Sequence, residues 1–255
     1  MTTNFQPPSP GTGLAVVVPM YNEILGGERC IVELLATVSR LPMRAGLVIV
    51  DDGSTDGTGA LLDRLQASPG GFRLVHKPNG GYGSALVAGA RAALEDGYDY
   101  VLFMDSDLTN PPAHIERFVP AIRRGYDLVK GTRFSAGGDM DAVAWRRRAF
   151  SLFGNIVARV FFRMGLADCT NGFRAVRAEM FVTMPLHERG FAVIMEELYW
   201  AKAWGLSATS VPTSLTERNA DQRATTFSYK PAMLWAYLRY ALRAGLIRYR
   251  PRSSA

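Results

Sequence analysis

Cysteine is scarce in this chain: two in 255 residues, Cys30 and Cys169, far apart and forming no CxxC pair. That excludes a disulfide framework or a structural zinc site as the basis of the fold and makes a reducing compartment the default expectation. Also missing is any run of ~18 uninterrupted apolar residues, the length a membrane-spanning helix needs. The nearest stretch, residues 231–250, is broken by Arg239 and Arg243. The opening "MTTNFQPPSPGTG", residues 1–13, has neither the basic start nor the apolar centre of a signal peptide and reads as a loose leader. No G-x-G-x-x-G follows the first apolar run and no G-x-x-x-x-G-K-[ST] occurs anywhere, which sets aside dinucleotide-binding Rossmann domains and ordinary ATPases. With 48% hydrophobic and 20% charged residues, the chain is not a disordered one either.

Acidic charge is lacking in one half only. Residues 1–142 carry 12 Lys/Arg against 16 Asp/Glu, whereas residues 143–255 carry 17 against 7. An acidic first half suits a metal; a basic second half suits phosphates on a substrate, a membrane surface or a nucleic acid. That half contains no recognised nucleic-acid-reading module, so nucleic acid is not expected as a partner.

What is present is a repeating alternation. "GLAVVVPMYNE", "GLVIVDDGSTDGT", "FRLVHKPNGGYG" and "YDYVLFMDSDL" are apolar runs separated by segments of helical periodicity. The runs lack polar alternation, the mark of strands covered on both faces in a parallel α/β sheet. In such sheets ligands bind beyond the carboxyl ends of the strands. The unusual polar residues cluster there: Tyr21, Asn22 and Glu23; Asp51 and Asp52; residues 79–83; Asp105 and Asp107.

Asp105 and Asp107, one residue apart at a strand end, can share a hard divalent cation through oxygen ligands; the competing reading is a helix cap or Asx turn. Asp51 and Asp52 stand where an aspartate can accept hydrogen bonds from the N–H edge of a nucleobase. "PNGGYGSAL" offers backbone amides, including those around Gly81 and Gly83, at a helix start suited to anionic groups. Glu196 or Glu197 could serve as a general base for an acceptor hydroxyl, or simply be a solvated helix residue. "WRRRAFSLFGNIVARVFFRMG", with Trp145, Phe150, Phe153, Phe161 and Phe162, and the C-terminal amphipathic stretch can rest on a membrane surface, pack on the sheet or form a dimer contact.

"VVVPMYNE", "VDDGSTDGT", "GGYGSA" and "MDSDLTNPP", in that order, resemble the family 2 glycosyltransferases, which are inverting and of the GT-A (Rossmann-like) fold. "KGTRF", "WRRRAFSLFGN", "DCTNGFRAVR" and "MEE" are similar to the blocks of the polyprenyl-phosphate (dolichyl-phosphate) mannose and glucose synthases within it. The resemblance implies one α/β domain over residues 14–230, with a nucleotide-sugar half (14–112) and an acceptor half (113–230), followed by an amphipathic helix and basic tail (231–255).

For the matching positions it implies Pro19, Tyr21, Glu23, Asp51, Asp52, Gly81, Gly83 and Ser106 around the nucleotide-sugar, and Asp105 and Asp107 on a Mg²⁺ or Mn²⁺ ion with Thr109 beside them. Arg133, Arg147 and Arg218 face phosphates, while Asp168, Thr170, Asn171 and Arg174 shape the sugar and acceptor pocket and Glu196 lies on the sugar side. The implied donor is a GDP-mannose or UDP-glucose type nucleotide-sugar and the acceptor a polyprenyl phosphate. Implied too is a cytoplasmic location, with peripheral attachment to a membrane surface or a membrane partner protein. The Q-x-x-R-W motif of processive synthases is absent, which favours single transfer. The family's R-x-x-G-x-S-K is departed from: this chain reads "ERNADQRATTFS", keeping Arg218 and offering Arg223 as the second cation. Alternatives are a soluble hydroxyl acceptor and a catalytically silent nucleotide-sugar-binding protein.

Overall fold

The structure, a computed structural model, describes residues 11–67, 71–134, 145–216 and 231–251; for residues 145–151, 153, 231 and 232 it describes the backbone alone. Strands β1 (Leu14–Met20), β2 (Ala45–Asp51), β3 (Arg73–His76) and β4 (Tyr100–Phe103) run parallel and alternate with helices α1 (Gly27–Val38), α2 (Thr58–Gln66) and α3 (Tyr82–Glu95). After β4 a 3₁₀ turn, Pro112–Phe118, runs into α4 (Val119–Arg123) and β5 (Leu128–Thr132). There follow α5 (Trp145–Phe162), β6 (Arg174–Arg177), α6 (Ala178–Thr183), α7 (Val193–Ala203), β7 (Ala208–Pro212) and α8 (Pro231–Gly245).

The seven strands form one sheet in the order β3-β2-β1-β4-β6-β5-β7. Only β6 is reversed, pairing antiparallel with β4 on one side and β5 on the other. Side chains on each strand divide by parity between two cores, as a pleat of period two requires. Val17, Val48, Val50, Val101 and Phe103 meet the helices α3, α6 and α7 on one face. Val16, Val18, Leu47, Ile49 and Leu102 meet α1, α2 and the 3₁₀ turn on the other. Both faces of β1, β2 and β4 are covered, hence their unbroken apolar runs. The acidic residues appear where β1, β2 and β4 emerge from this double cover.

Candidate active site

The loops after β1 and β2 are latched together by hydrogen bonds. Asn22, in the left-handed region at φ 56°, donates its amide to Ser54 Oγ (2.9 Å), and its side-chain oxygen accepts from Thr55 N (2.8 Å). The Glu23 amide donates to Thr58 Oγ1 at 2.8 Å, and that hydroxyl donates to Asp56 Oδ1 at 2.6 Å. Pro19 pairs in register with Val50, and Tyr21 and Glu23 are half-buried on the rim this latch creates.

Asp51 and Asp52 are both buried, and both are engaged by protein groups. Asp51 accepts the Ser54 amide at 3.0 Å and lies 3.0 Å from His76 Nδ1, while His76 Nε2 reaches Asp63 at 3.0 Å. Asp63 first, then Asp51, raise the His76 pKa against the opposing effect of burial. Asp52 accepts the amides of Gly80 (2.9 Å) and Gly81 (2.8 Å) and pairs with Lys77. This corrects one expectation. The amides of Gly80 and Gly81 are spent on Asp52, and that of Gly83 on Arg189 O at 2.8 Å, so they do not form an open anion cradle. Asp52 fastens that loop.

The glycines have a steric reason instead. A Cβ on Gly83 would lie 2.0 Å from the Glu188 carbonyl oxygen, and one on Gly81, at φ 87°, would lie 2.7 Å from that of Arg189. Residues 187–190 thus press directly on the start of α3.

Beyond β4 the chain turns through Leu108, a non-glycine residue at φ 51°, of the kind that concentrates at functional sites. The turn leaves Asp105 and Asp107 half-buried with Ser106 buried between them. Thr109 donates both its amide (3.1 Å) and its hydroxyl (2.8 Å) to Asp107 Oδ1, so in this structure it orients Asp107. Tyr82 Oη donates to Asp105 Oδ1 at 3.2 Å, and its ring packs on Phe191 with centroids 4.6 Å apart. Gly172 lies beside this contact: a Cβ there would be 3.4 Å from Tyr82 Oη and 3.9 Å from Asp105 Oδ2, ordinary contact distances.

Two partly exposed carboxylates at a strand end fit a Mg²⁺ or Mn²⁺ ion, which keeps most of its positions for water and substrate phosphate oxygens. Among the described residues no group of three or more His, Cys, Asp or Glu could hold a metal alone.

The acceptor half supplies a buried ionic network. Asp168, fully buried, accepts Arg133 Nε at 2.7 Å and Nη2 at 3.1 Å, together with the amides of Thr170 and Asn171. Burial would raise its pKa; Arg133, then Lys130 and Thr170, outweigh burial and hold it low. Arg133 also donates to Thr170 Oγ1 at 2.8 Å and lies over the Phe134 ring. Its direction is therefore set by three partners at the end of β5. Asn171 is spent on Gly131 O and the Phe173 amide. Lys130 Nζ, fully buried, donates to Asn171 O at 2.8 Å; burial first, then Arg174, lower its pKa to about 8.

Arg174, expected to shape the sugar and acceptor pocket, is fully buried, bonded to Glu197 Oε2 through Nε at 2.6 Å and to Gly172 O at 2.7 Å, and hydrogen-bonded to Tyr82. It braces Tyr82, which braces Asp105. Glu196 is likewise consumed. Its carboxylate accepts the amide of His187 on both oxygens (3.0 and 2.9 Å) and that of Glu188 at 2.8 Å, and it is 2% exposed.

Arg218 and Arg223 lie outside the described residues, as does the side chain of Arg147. Thr216 donates its amide to Thr109 O at 2.8 Å, beside the acidic pair. Sequence reading gave no role to Tyr82, Lys77 or Lys130, and it offered Glu197 only as an alternative to Glu196 for a general base, not as the partner of Arg174. The "GGYG" tyrosine carried the only usable signal, a large aromatic residue inside a glycine turn.

The chain matches the family described as Glycosyl transferase family 2 over residues 15–183. It is 32% identical over 208 residues to polyprenol monophosphomannose synthase of Mycolicibacterium smegmatis, covering 80% of this chain and 77% of that protein. It is 31% identical over 209 residues to undecaprenyl-phosphate mannosyltransferase of Micrococcus luteus, covering 79% of this chain and 83% of that protein. Among solved structures, glucosyl-3-phosphoglycerate synthase of Mycobacterium tuberculosis, in complex with Mn²⁺, UDP and glucosyl-3-phosphoglycerate, superposes with a TM-score of 0.64 at 22% identity. That match covers 93% of this chain and 81% of the other, and supports the GT-A-like α/β fold. A sheet with its acids at the strand ends, a family match across two thirds of its length and relatives above 30% identity lead to one conclusion: the chain belongs to glycosyl transferase family 2 and is a glycosyltransferase of the polyprenyl-phosphate sugar synthase type.

Proposed function

We propose that this enzyme moves one sugar, with inversion, from a nucleotide-sugar of the GDP-mannose type onto a polyprenyl phosphate, with the help of a divalent ion that Asp105 and Asp107 would hold. One observation carries the acceptor assignment: both glutamates that could have served as a general base are committed elsewhere, Glu196 to backbone amides and Glu197 to Arg174. An acceptor hydroxyl needs such a base. A phosphate monoester does not, since it carries about −1.5 to −2 charge at pH 7. The two curated relatives, named for polyprenol and undecaprenyl phosphate mannose transfer, support the same reading. The Mn²⁺ in the mycobacterial synthase structure supports the ion.

The chemistry then follows from the residues. A phosphate oxygen of the acceptor attacks the anomeric carbon from the face opposite the leaving group. The bond from that carbon to the diphosphate breaks, and the departing nucleotide takes the electron pair. Bound at Asp105 and Asp107, the ion would supply Lewis-acid neutralisation of that leaving charge. Arg133, aimed by Asp168 and Thr170, would position the acceptor phosphate, a task suited to a pre-oriented guanidinium. Tyr82 and Thr109 keep the two carboxylates in register.

The test is transfer of radiolabelled mannose from GDP-mannose to a short, water-soluble prenyl phosphate, run beside the corresponding prenyl alcohol. Product on the phosphate alone is expected. Equal product on the alcohol would overturn the acceptor assignment.

A further inference from the structure

We propose that Glu188 is a positioning residue for the cation site: it ties residues 187–191 to α8 and, through Phe191 and Tyr82, fixes where Asp105 stands. The proposal rests on the reading that Asp105 and Asp107 hold the divalent ion.

Residues 185–192, "PLHERGFA", join α6 to α7 without helix or strand. Backbone of that kind has to find its hydrogen-bond partners outside itself. Two of its neighbours are Glu196, which accepts the amides of His187 and Glu188, and the start of α3, where Gly83 donates to Arg189 O. The third is α8. Glu188 pairs with Arg239, and the same oxygen, Oε1, accepts the Tyr240 hydroxyl at 3.2 Å. Arg239 also donates to Tyr240 Oη at 3.3 Å and lies over the Tyr240 ring, so the three side chains close a triangle. One turn earlier on α8, Tyr237 Oη donates to Phe191 O at 3.2 Å.

This anchor can hold because α8 is itself seated. Tyr240, Ala241 and Ala244 are buried in the same core as Leu86 of α3 and Leu198 of α7. From the anchored segment the contacts run on to the acids. The Phe191 ring packs on Tyr82 with centroids 4.6 Å apart, and Tyr82 Oη donates to Asp105 Oδ1 at 3.2 Å. Glu188 and Phe191 are three residues apart, so slack at the first reaches the ring that backs Tyr82.

Exposure separates this role from a large share in stability. Glu188 is 18% exposed and Arg239 41%. An ion pair so open to water contributes only modestly to folding. What it can do is select among nearby positions of a segment with no ladder of its own, and so among positions of Asp105. Cation affinity is sensitive to that selection, because the partners that orient ligating carboxylates govern it. By reciprocity, a bound cation must tighten the segment in return.

Calorimetric titration of Mn²⁺ in saturating GDP tests it. Removing a direct partner of a metal ligand costs about 10–100-fold in affinity. Glu188→Ala acts at one remove and should give the low end, about tenfold, with a fall in Tm of no more than a few degrees. Glu188→Gln keeps an oxygen for Tyr240 and Arg239 and should recover most of the loss. Arg239→Met should weaken binding about threefold, as befits an exposed pair, and reads the same link if Glu188→Ala does not fold. Arg243→Gln, on the same helix but outside these bonds, should leave the affinity unchanged. In wild type, Mn²⁺ with GDP should slow amide hydrogen exchange in residues 186–192, and Glu188→Ala should lose that protection. Three results would overturn the positioning role: unchanged Mn²⁺ affinity in folded Glu188→Ala, a Glu188→Gln no better than the alanine, or an equal loss in Arg243→Gln. Wild-type protein that binds no Mn²⁺ at all would sink the cation site itself, and this proposal with it.

Discussion

Glu196→Gln separates a catalytic glutamate from a structural one. In the structure Glu196 Oε2 lies 2.9 Å from His187 N and 2.8 Å from Glu188 N, and Oε1 lies 3.0 Å from His187 N. A glutamine can place its single oxygen at the Oε2 position and keep both amides. It loses the charge assistance of two hydrogen bonds and sets an NH₂ group against the His187 N–H in a site that is 2% exposed. Charged hydrogen bonds exceed neutral ones by about 1 kcal/mol each, so the expected loss is about 2 kcal/mol. For a chain of this size that is a fall in Tm of about 4–8 °C. Activity below the new Tm should stay within about tenfold of wild type, with an unchanged pH profile, because no proton passes through this carboxylate. A general base replaced by an amide should instead cost about 10²–10⁴ in kcat. Calorimetric unfolding and steady-state transfer kinetics on the same preparation read both. A loss of kcat in that larger range with an unchanged Tm would refute the structural role and return the hydroxyl acceptor to contention.

Glu197→Leu strands the buried Arg174 charge and should cost about 3–5 kcal/mol in urea unfolding, while the double variant with Arg174→Met should be less destabilised than the single. A double variant no better than the single would show that the ion pair is not what Glu197 contributes. Gly83→Ala forces a Cβ to within 2.0 Å of the Glu188 carbonyl and should shift residues 187–190, lowering both Tm and nucleotide affinity; unchanged values would mean that this close approach is not kept in solution. His76 has a raised folded pKa through Asp63 and Asp51, so its stabilisation is full below the unfolded-state pKa and lost as pH rises through the folded one. The urea midpoint difference between wild type and His76→Ala should therefore be larger at pH 6 than at pH 8.5; a difference independent of pH would deny the ion pairing.

The nucleotide half was legible because both faces of its strands are covered. Each of β1, β2 and β4 reads as one apolar run, and the run stops where the acids begin. The acceptor half was not. Strand β6 has four residues, two of them arginines, and looks like a surface segment. Arg174 is buried there only because Glu197, 23 residues later and on a different element, neutralises it. The Gly-rich loop misled for a related reason. Glycines before a helix suggest an anion cradle, but these are small because the backbone of residues 188–189, more than 100 positions away in sequence, packs on them. Adjacent glutamates Glu196 and Glu197 gave no sign of which way each points; one turns to a loop and the other to an arginine, and neither reaches the cleft. Local sequence exposed the carboxylates at strand ends, whereas partners distant in sequence decided which polar groups remain available.

Calorimetric titration of Mn²⁺ into the protein, with and without a saturating nucleoside diphosphate, tests the shared cation site most directly. Two carboxylates alone should bind Mn²⁺ weakly, and the diphosphate should tighten it by at least about tenfold by completing the shell. Asp107→Asn should abolish that coupling while the protein stays folded. Equal Mn²⁺ affinity with and without the nucleotide, or coupling that survives in Asp107→Asn, would contradict the account.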